Sequence, residues 1–208
     1  MAILVTGGAR SGKSSFAERL AAKRGTVGLY IATAQIYDEE MRERISLHQQ
    51  QRSSGTFPWT TREEPYALAG LLRELGSGGE QGNRERSEAG KEAAGAERTV
   101  VLVDCLTLWL SNQLLRHEDQ PEAEAAVTAM IADLVDAVAS YPYPLILVTN
   151  EVGDGIVPVT KLGRQFRDLA GRLNQQLASI CSQVFLVTAG IPIELRSLAY
   201  RLEESELL

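Results

Sequence analysis

The chain has 208 residues, a formal net charge of −6 and a sequence pI near 5.1. This acidic balance gives no electrostatic footprint for nucleic acid or an anionic membrane surface, and no apolar run approaches the ~18–20 residues that span a bilayer. The length suits one α/β domain over residues 1–208 with a sizeable core.

The first apolar run, Ile3 to Val5, is long enough for a buried strand. Gly7-Gly8-Ala9-Arg10-Ser11-Gly12-Lys13-Ser14 follows and fits G-x-x-x-x-G-K-[ST] without a mismatch. The glycines let backbone N–H groups turn inward to cradle phosphate oxygens, and the next helix, residues 12–24, adds its positive N-terminal end. In this setting Lys13 reaches the β- and γ-phosphates and the Ser14 hydroxyl ligates Mg²⁺. A second buried-type strand starts at Val27 and ends in Thr33, Ala34 and Gln35. Ligands of open parallel sheets sit beyond strand carboxyl ends, so these three residues are expected near the nucleotide.

A polar helix is predicted over residues 37–52. Met41, Ile45 and His48 recur at helical spacing, with Arg44 and Arg52 one turn to either side of His48. From this pattern alone, a lone helical histidine is more often a surface or core residue than a catalyst. Residues 57–61 read as a short edge strand, Glu63 and Glu64 follow, and a helix is predicted over 65–75. Residues 76–98 are rich in Gly, Glu and Arg and nearly lack large apolar side chains, which predicts a mobile surface insertion.

Thr99 to Asp104 is an apolar strand ending in an acid, the pattern in which a carboxylate holds Mg²⁺ beside a P-loop. A helix over 105–115 carries Trp109, expected in the core or at a subunit contact, and His117 is expected exposed in the polar loop after it. A helix over 122–139 precedes the strand Leu145 to Thr149. The loop Asn150 to Pro158 reads equally as a ligand loop or a plain connection. A helix over 160–182 carries Arg164, Asp168 and Arg172 at i,i+4 spacing, and Val184 to Thr188 is expected to be the last core strand, ended by Pro192 before a short tail helix. The apolar contexts of Cys105 and Cys181 predict buried free thiols and a reducing cytoplasm. No secretory leader is expected, because the chain opens on strand and P-loop. These elements predict a P-loop NTPase-like three-layer α/β sandwich with a mostly parallel central sheet.

Several stretches together resemble the bifunctional adenosylcobinamide kinase / adenosylcobinamide-phosphate guanylyltransferase family. They are the P-loop segment, Tyr30 to Thr33, Arg44-Ile45 with His48, Val103 to Thr107, Val148 to Gly153 with Gly155 to Pro158, and Phe166 to Asn174. The 76–98 segment is the main departure. The resemblance implies cobalamin biosynthesis with ATP or GTP as phosphoryl donor to adenosylcobinamide. GMP then passes from GTP to adenosylcobinamide phosphate, releasing pyrophosphate. It also implies a guanylylated histidine, which matches His48, a six- or seven-stranded sheet and a homotrimer with the His48 helix near a neighbouring subunit. Gln49, Gln50, Gln51, Arg52 and Glu63 are expected to help hold the nucleotide, with Glu63 accepting from guanine. Two other readings use the same Lys13, Ser14 and Asp104: a kinase of a small alcohol in which His48 has no role, and a nucleotide sensor that does not turn over.

Overall fold

The computed structural model describes residues 1–35, 55–87 and 98–200. Strand β1 (Ala2–Thr6) leads through the P-loop into helix α1 (Lys13–Arg24), and β2 (Val27–Ala32) follows. After β3 (Trp59–Glu63) come α2 (Leu68–Ser87), β4 (Thr99–Asp104), α3 (Leu106–His117) and α4 (Ala123–Ser140). The chain continues with β5 (Leu145–Val148), α5 (Lys161–Ile180), β6 (Gln183–Thr188), β7 (Ile191–Glu194) and the single turn α6 (Leu195–Leu198).

The seven strands form one sheet in the order β3-β2-β4-β5-β1-β6-β7, parallel except for β7, which runs antiparallel to β6. Alternation within the strands builds two cores. Ile3, Val5, Tyr30, Val100, Leu102, Ile146 and Val148 pack toward one face, where Ala17 and Ala21 let α1 lie close. Leu4, Ile31, Val101, Val103, Leu145 and Leu147 point to the other face and meet buried side chains of α2, α3, α4 and α5. Period-2 strands with both faces covered are what a parallel sheet requires. The three layers are those the sequence predicts.

Two expectations need correction, and one strand was not foreseen. Val184 to Thr188 is the last core strand, as expected, but the mostly exposed Ile191–Glu194 pairs with it, and Pro192 is tolerated because β7 lies at the sheet edge. The helix expected over 65–75 begins only at Leu68, since Glu64 Oε1 first accepts from the N–H groups of Tyr66 and Ala67 at 3.1 and 2.7 Å. It then runs on past Leu75 to Ser87, into the segment 76–98 read from the sequence as a surface insertion. Where the extension begins, a Cβ added at Gly76 would lie 3.4 Å from Pro142 and 3.5 Å from Tyr141, so the helix is packed there, and propagation from a packed turn costs less than nucleation. His117 is not a loop residue: it ends α3, half-buried, with Nδ1 2.8 Å from the Gln113 carbonyl.

Candidate nucleotide site

The register aligns the strand ends that carry the candidate residues. Ala32 pairs with both Glu63 and Asp104, and Val148 pairs with both Asp104 and Val5. Gly7 to Ser14, Thr33 to Gln35, Glu63 and Asp104 therefore all lie at the carboxyl edge of the sheet. The strand order separates them unequally. One strand, β5, stands between β1 and β4, whereas β5, β4 and β2 all stand between the P-loop strand and β3. Glu63 is thus not brought beside the P-loop, being four strand spacings, ~19 Å, away.

The P-loop has the backbone its sequence demands. Gly7 has φ +154°, and a Cβ there would lie 2.4 Å from the Val187 carbonyl oxygen and 2.8 Å from Ser11 Oγ. Gly12 has φ 92° and caps α1, with Gly190 packed behind it. Arg10 takes the left-handed conformation at φ 56°. Two neighbouring loops brace this turn: Glu151 N–H donates to the Gly7 carbonyl at 3.1 Å, and Gly190 N–H to the Ser11 carbonyl at 2.8 Å. Gly8, Ala9 and Arg10 are exposed, and Ser14 is half-buried. Lys13 is buried, and its Nζ donates to the Gly8 carbonyl at 3.1 Å, spanning the loop's concave side.

Thr6 Oγ1 and Ser11 Oγ are buried without a hydrogen-bond partner among the described residues. Buried hydroxyls in that state are donors a phosphate or an ordered water would satisfy. With the glycine cradle and Lys13, they fit a polyphosphate. The hard oxygens of Ser14 and Asp104 fit Mg²⁺.

Asp104, half-buried at the end of β4, accepts at Oδ2 from the buried Tyr30 hydroxyl at 3.0 Å. Thr33 N–H donates to the Asp104 carbonyl and Thr33 Oγ1 to the Cys105 carbonyl at 2.7 Å, tying the end of β2 to that of β4. Gln35 Oε1 accepts from the Tyr66 hydroxyl at 2.9 Å, and Ala34 is half-buried between these two anchors. Cys105 lies next to Asp104, but burial, with the Asp104 charge second, pushes its thiol up to about 11, so it is no nucleophile at neutral pH. Cys105 and Cys181 are both free and buried, as expected. His48, Gln49, Gln50, Gln51 and Arg52 lie outside the described residues.

Sequence reasoning missed the Tyr30 contact with Asp104 and a network past β5. Asn150 Nδ2 donates to Thr107 Oγ1 at 2.6 Å, Thr149 Oγ1 donates to Asn174 Oδ1 at 2.8 Å, and Asn174 Nδ2 donates to the Asn150 carbonyl at 3.1 Å. The available signal was a pair of polar residues directly after a wholly apolar strand.

This geometry belongs to a chain whose residues 3–195 match the family model described as cobinamide kinase / cobinamide phosphate guanyltransferase. A bifunctional adenosylcobalamin biosynthesis protein, CobP, of Pseudomonas aeruginosa is 42% identical over 196 residues, covering 93% of this chain and 96% of that protein. Its counterpart CobU of Escherichia coli is 40% identical over 204 residues, covering 94% of this chain and all of that protein. The chain belongs to the cobinamide kinase / cobinamide phosphate guanyltransferase family. A solved ATP synthase subunit, NeqB, of Nanoarchaeum equitans is similar at a TM-score of 0.48 and 10% identity, covering 89% of this chain and 44% of that one. The described residues of this family member include the glycine-rich Gly7–Ser14 turn and, two strands away at the same sheet edge, Asp104. No helix among them is long and apolar enough to cross a membrane.

Proposed function

We propose that this protein carries out both reactions of its family on one nucleotide site. It phosphorylates the alcohol of adenosylcobinamide with ATP or GTP, then transfers GMP from GTP to adenosylcobinamide phosphate. The observation that carries the reading is the braced Gly7–Ser14 cradle, with buried Lys13 on its concave side and Asp104 two strands away at the same edge. Gly7, Gly8, Ala9, Arg10, Ser11 and Gly12 offer backbone N–H groups to phosphate oxygens, and Lys13 neutralises charge on the β- and γ-phosphates. Ser14 and Asp104 would hold Mg²⁺, which when bound neutralises charge on the leaving diphosphate or pyrophosphate.

In the guanylyl step the neutral His48 imidazole attacks the α-phosphorus. The bond to the β-phosphate oxygen breaks and its electron pair leaves on pyrophosphate. An oxygen of adenosylcobinamide phosphate then attacks the same phosphorus and the imidazole leaves, giving adenosylcobinamide-GDP. Thr33, Ala34 and Gln35 flank the nucleotide, and Gln49, Gln50, Gln51 and Arg52 hold it after His48. Glu63 takes guanine N1–H and N2–H, a role that requires GTP to lie extended along the carboxyl edge of the sheet. The remainder of the reading is one domain over 1–208, a homotrimer and a cytoplasmic site of action. Exposed Ile191, Ile193, Leu195 and Leu198 at the β7 edge support self-association, and buried free thiols support a reducing compartment.

The test is product analysis. With Mg²⁺, GTP and adenosylcobinamide, adenosylcobinamide phosphate and then adenosylcobinamide-GDP with pyrophosphate are expected. Lys13→Ala lowers both rates by at least ~100-fold. Nucleotide bound but left intact with either corrinoid present would leave a sensing module as the better reading.

A further inference from the structure

β5 holds a special place: it is the strand between the P-loop strand and the strand that ends in Asp104. Its last residue, Val148, is level with Val5 on one side and Asp104 on the other. The next two residues, Thr149 and Asn150, therefore emerge between the P-loop and Asp104, where the γ-phosphate end of a nucleotide bound by Lys13 and Asp104 must lie. Thr149 N–H still joins the sheet through the Val5 carbonyl at 2.9 Å, and Glu151 N–H holds the Gly7 carbonyl. Asn150 sits between those two bonds.

Asn150 is immobilised more heavily than a connection needs. Its carbonyl accepts from Asn174, which is itself fixed by Thr149. Its Nδ2 donates to Thr107 Oγ1, and Thr107 is buried beside Cys105 Sγ at 3.2 Å. These bonds recruit the first turn of α3 and the interior of α5 to hold one half-buried carboxamide at the edge of the site. With the two Nδ2 hydrogens directed at Thr107 Oγ1 and, at 3.9 Å, at Cys105 Sγ, the carboxamide oxygen is the atom left for a ligand.

Resting on the two-reaction reading above, we infer that Asn150 is a catalytic residue of the phosphoryl-transfer step alone: its Oδ1 accepts a hydrogen bond from the acceptor hydroxyl and aims that oxygen at the γ-phosphorus. Thr107 and Asn174 are positioning residues that act through it. In the step, the hydroxyl oxygen bonds to the γ-phosphorus, and the bond from that phosphorus to the β-phosphate bridging oxygen breaks. The electron pair leaves on the nucleoside diphosphate, and the hydroxyl proton passes to water. A carboxamide neither gains nor loses a proton here; it orients. Guanylylation of His48 happens at the α-phosphorus, at the other end of the triphosphate, and makes no demand on Asn150.

The two activities separate the outcomes. Wild type, Asn150→Ala, Thr107→Val and Thr107→Ser are compared for kinase turnover with adenosylcobinamide and for exchange of labelled pyrophosphate into GTP, which reads guanylylation. Asn150→Ala is expected to lower kinase kcat ~10- to 100-fold, with the KM for nucleotide and the exchange rate each within about threefold. Thr107→Val reproduces the kinase defect in part, and Thr107→Ser, which restores the hydroxyl, rescues it. If Asn150→Ala does not fold, the Thr107 pair decides alone. Kinase kcat within threefold of wild type overturns the inference, as does a fall in both activities together, which marks a structural role. A wild type lacking both activities sinks the two-reaction reading itself.

Discussion

The most constrained single residue is Gly7. Its positive φ and the Val187 carbonyl 2.4 Å from any added Cβ leave no room for a side chain. Gly7→Ala is expected to destabilise the fold by about 1–3 kcal/mol and weaken nucleotide binding at least ~10-fold, read by thermal denaturation and isothermal titration. Cys105 and Cys181 give a second residue-scale prediction. Burial pushes both thiols from an ordinary value near 9 up to about 11. Between those values the unfolded chain has lost these protons while the folded chain keeps them. Stability therefore falls as pH rises from about 9 to 11, by up to about 1.4 kcal/mol per pH unit for each thiol. Tyr141, pushed up to about 12 by burial, adds to the same slope at its upper end. Chemical denaturation across this range, with Cys105→Ala/Cys181→Ala flattening part of the fall, checks the assignment. An unchanged slope in that variant would contradict it. The P-loop residues were legible in the sequence because backbone geometry dictates their type. Tyr30 was not, since a tyrosine inside an apolar strand looks like core until its hydroxyl is seen on Asp104.

At the scale of elements, β2 and β3 meet where Gly28 leaves space for two aromatic rings. A Cβ on Gly28 would lie 2.4 Å from the Trp59 ring and 2.7 Å from Phe57. Trp59 is in turn edge-on to Tyr30 at 6.0 Å between centroids, so this packing leads back to Asp104. Gly28→Ala is expected to displace the Trp59 ring, cost about 1–3 kcal/mol and change the near-UV circular dichroism of the aromatic cluster. Strands with two covered faces were readable as plain apolar runs. β7 was not, because Pro192 normally ends a strand, and only its place at the sheet edge permits it. Nor was the length of α2, where a Gly-rich composition argued for an end at Leu75, while the close packing of the helix at Gly76 against the Tyr141–Pro142 corner carries it further.

At the scale of the molecule, function follows from strand order. Sequence alone supplied a phosphate loop and an acid, but not the fact that β5 separates them, which is what places Thr149 and Asn150 between the two. Period and motif report what a segment is; which segment lies beside which is a property of the closed sheet. The same order sets the demand on the nucleotide, since a guanine contact at Glu63 requires GTP to reach across three intervening strands. Family membership names two chemistries, phosphoryl transfer and guanylyl transfer. The account therefore stands on His48 taking the guanylyl group while the P-loop holds the rest.

Covalent labelling tests that most directly. Protein is incubated with Mg²⁺ and GTP labelled at the α-phosphate, then denatured, with a folded His48→Asn variant alongside. The account predicts acid-labile, alkali-stable label on the wild type and none on the variant. A folded, GTP-binding wild type that takes up no label, or equal label on the variant, would contradict it.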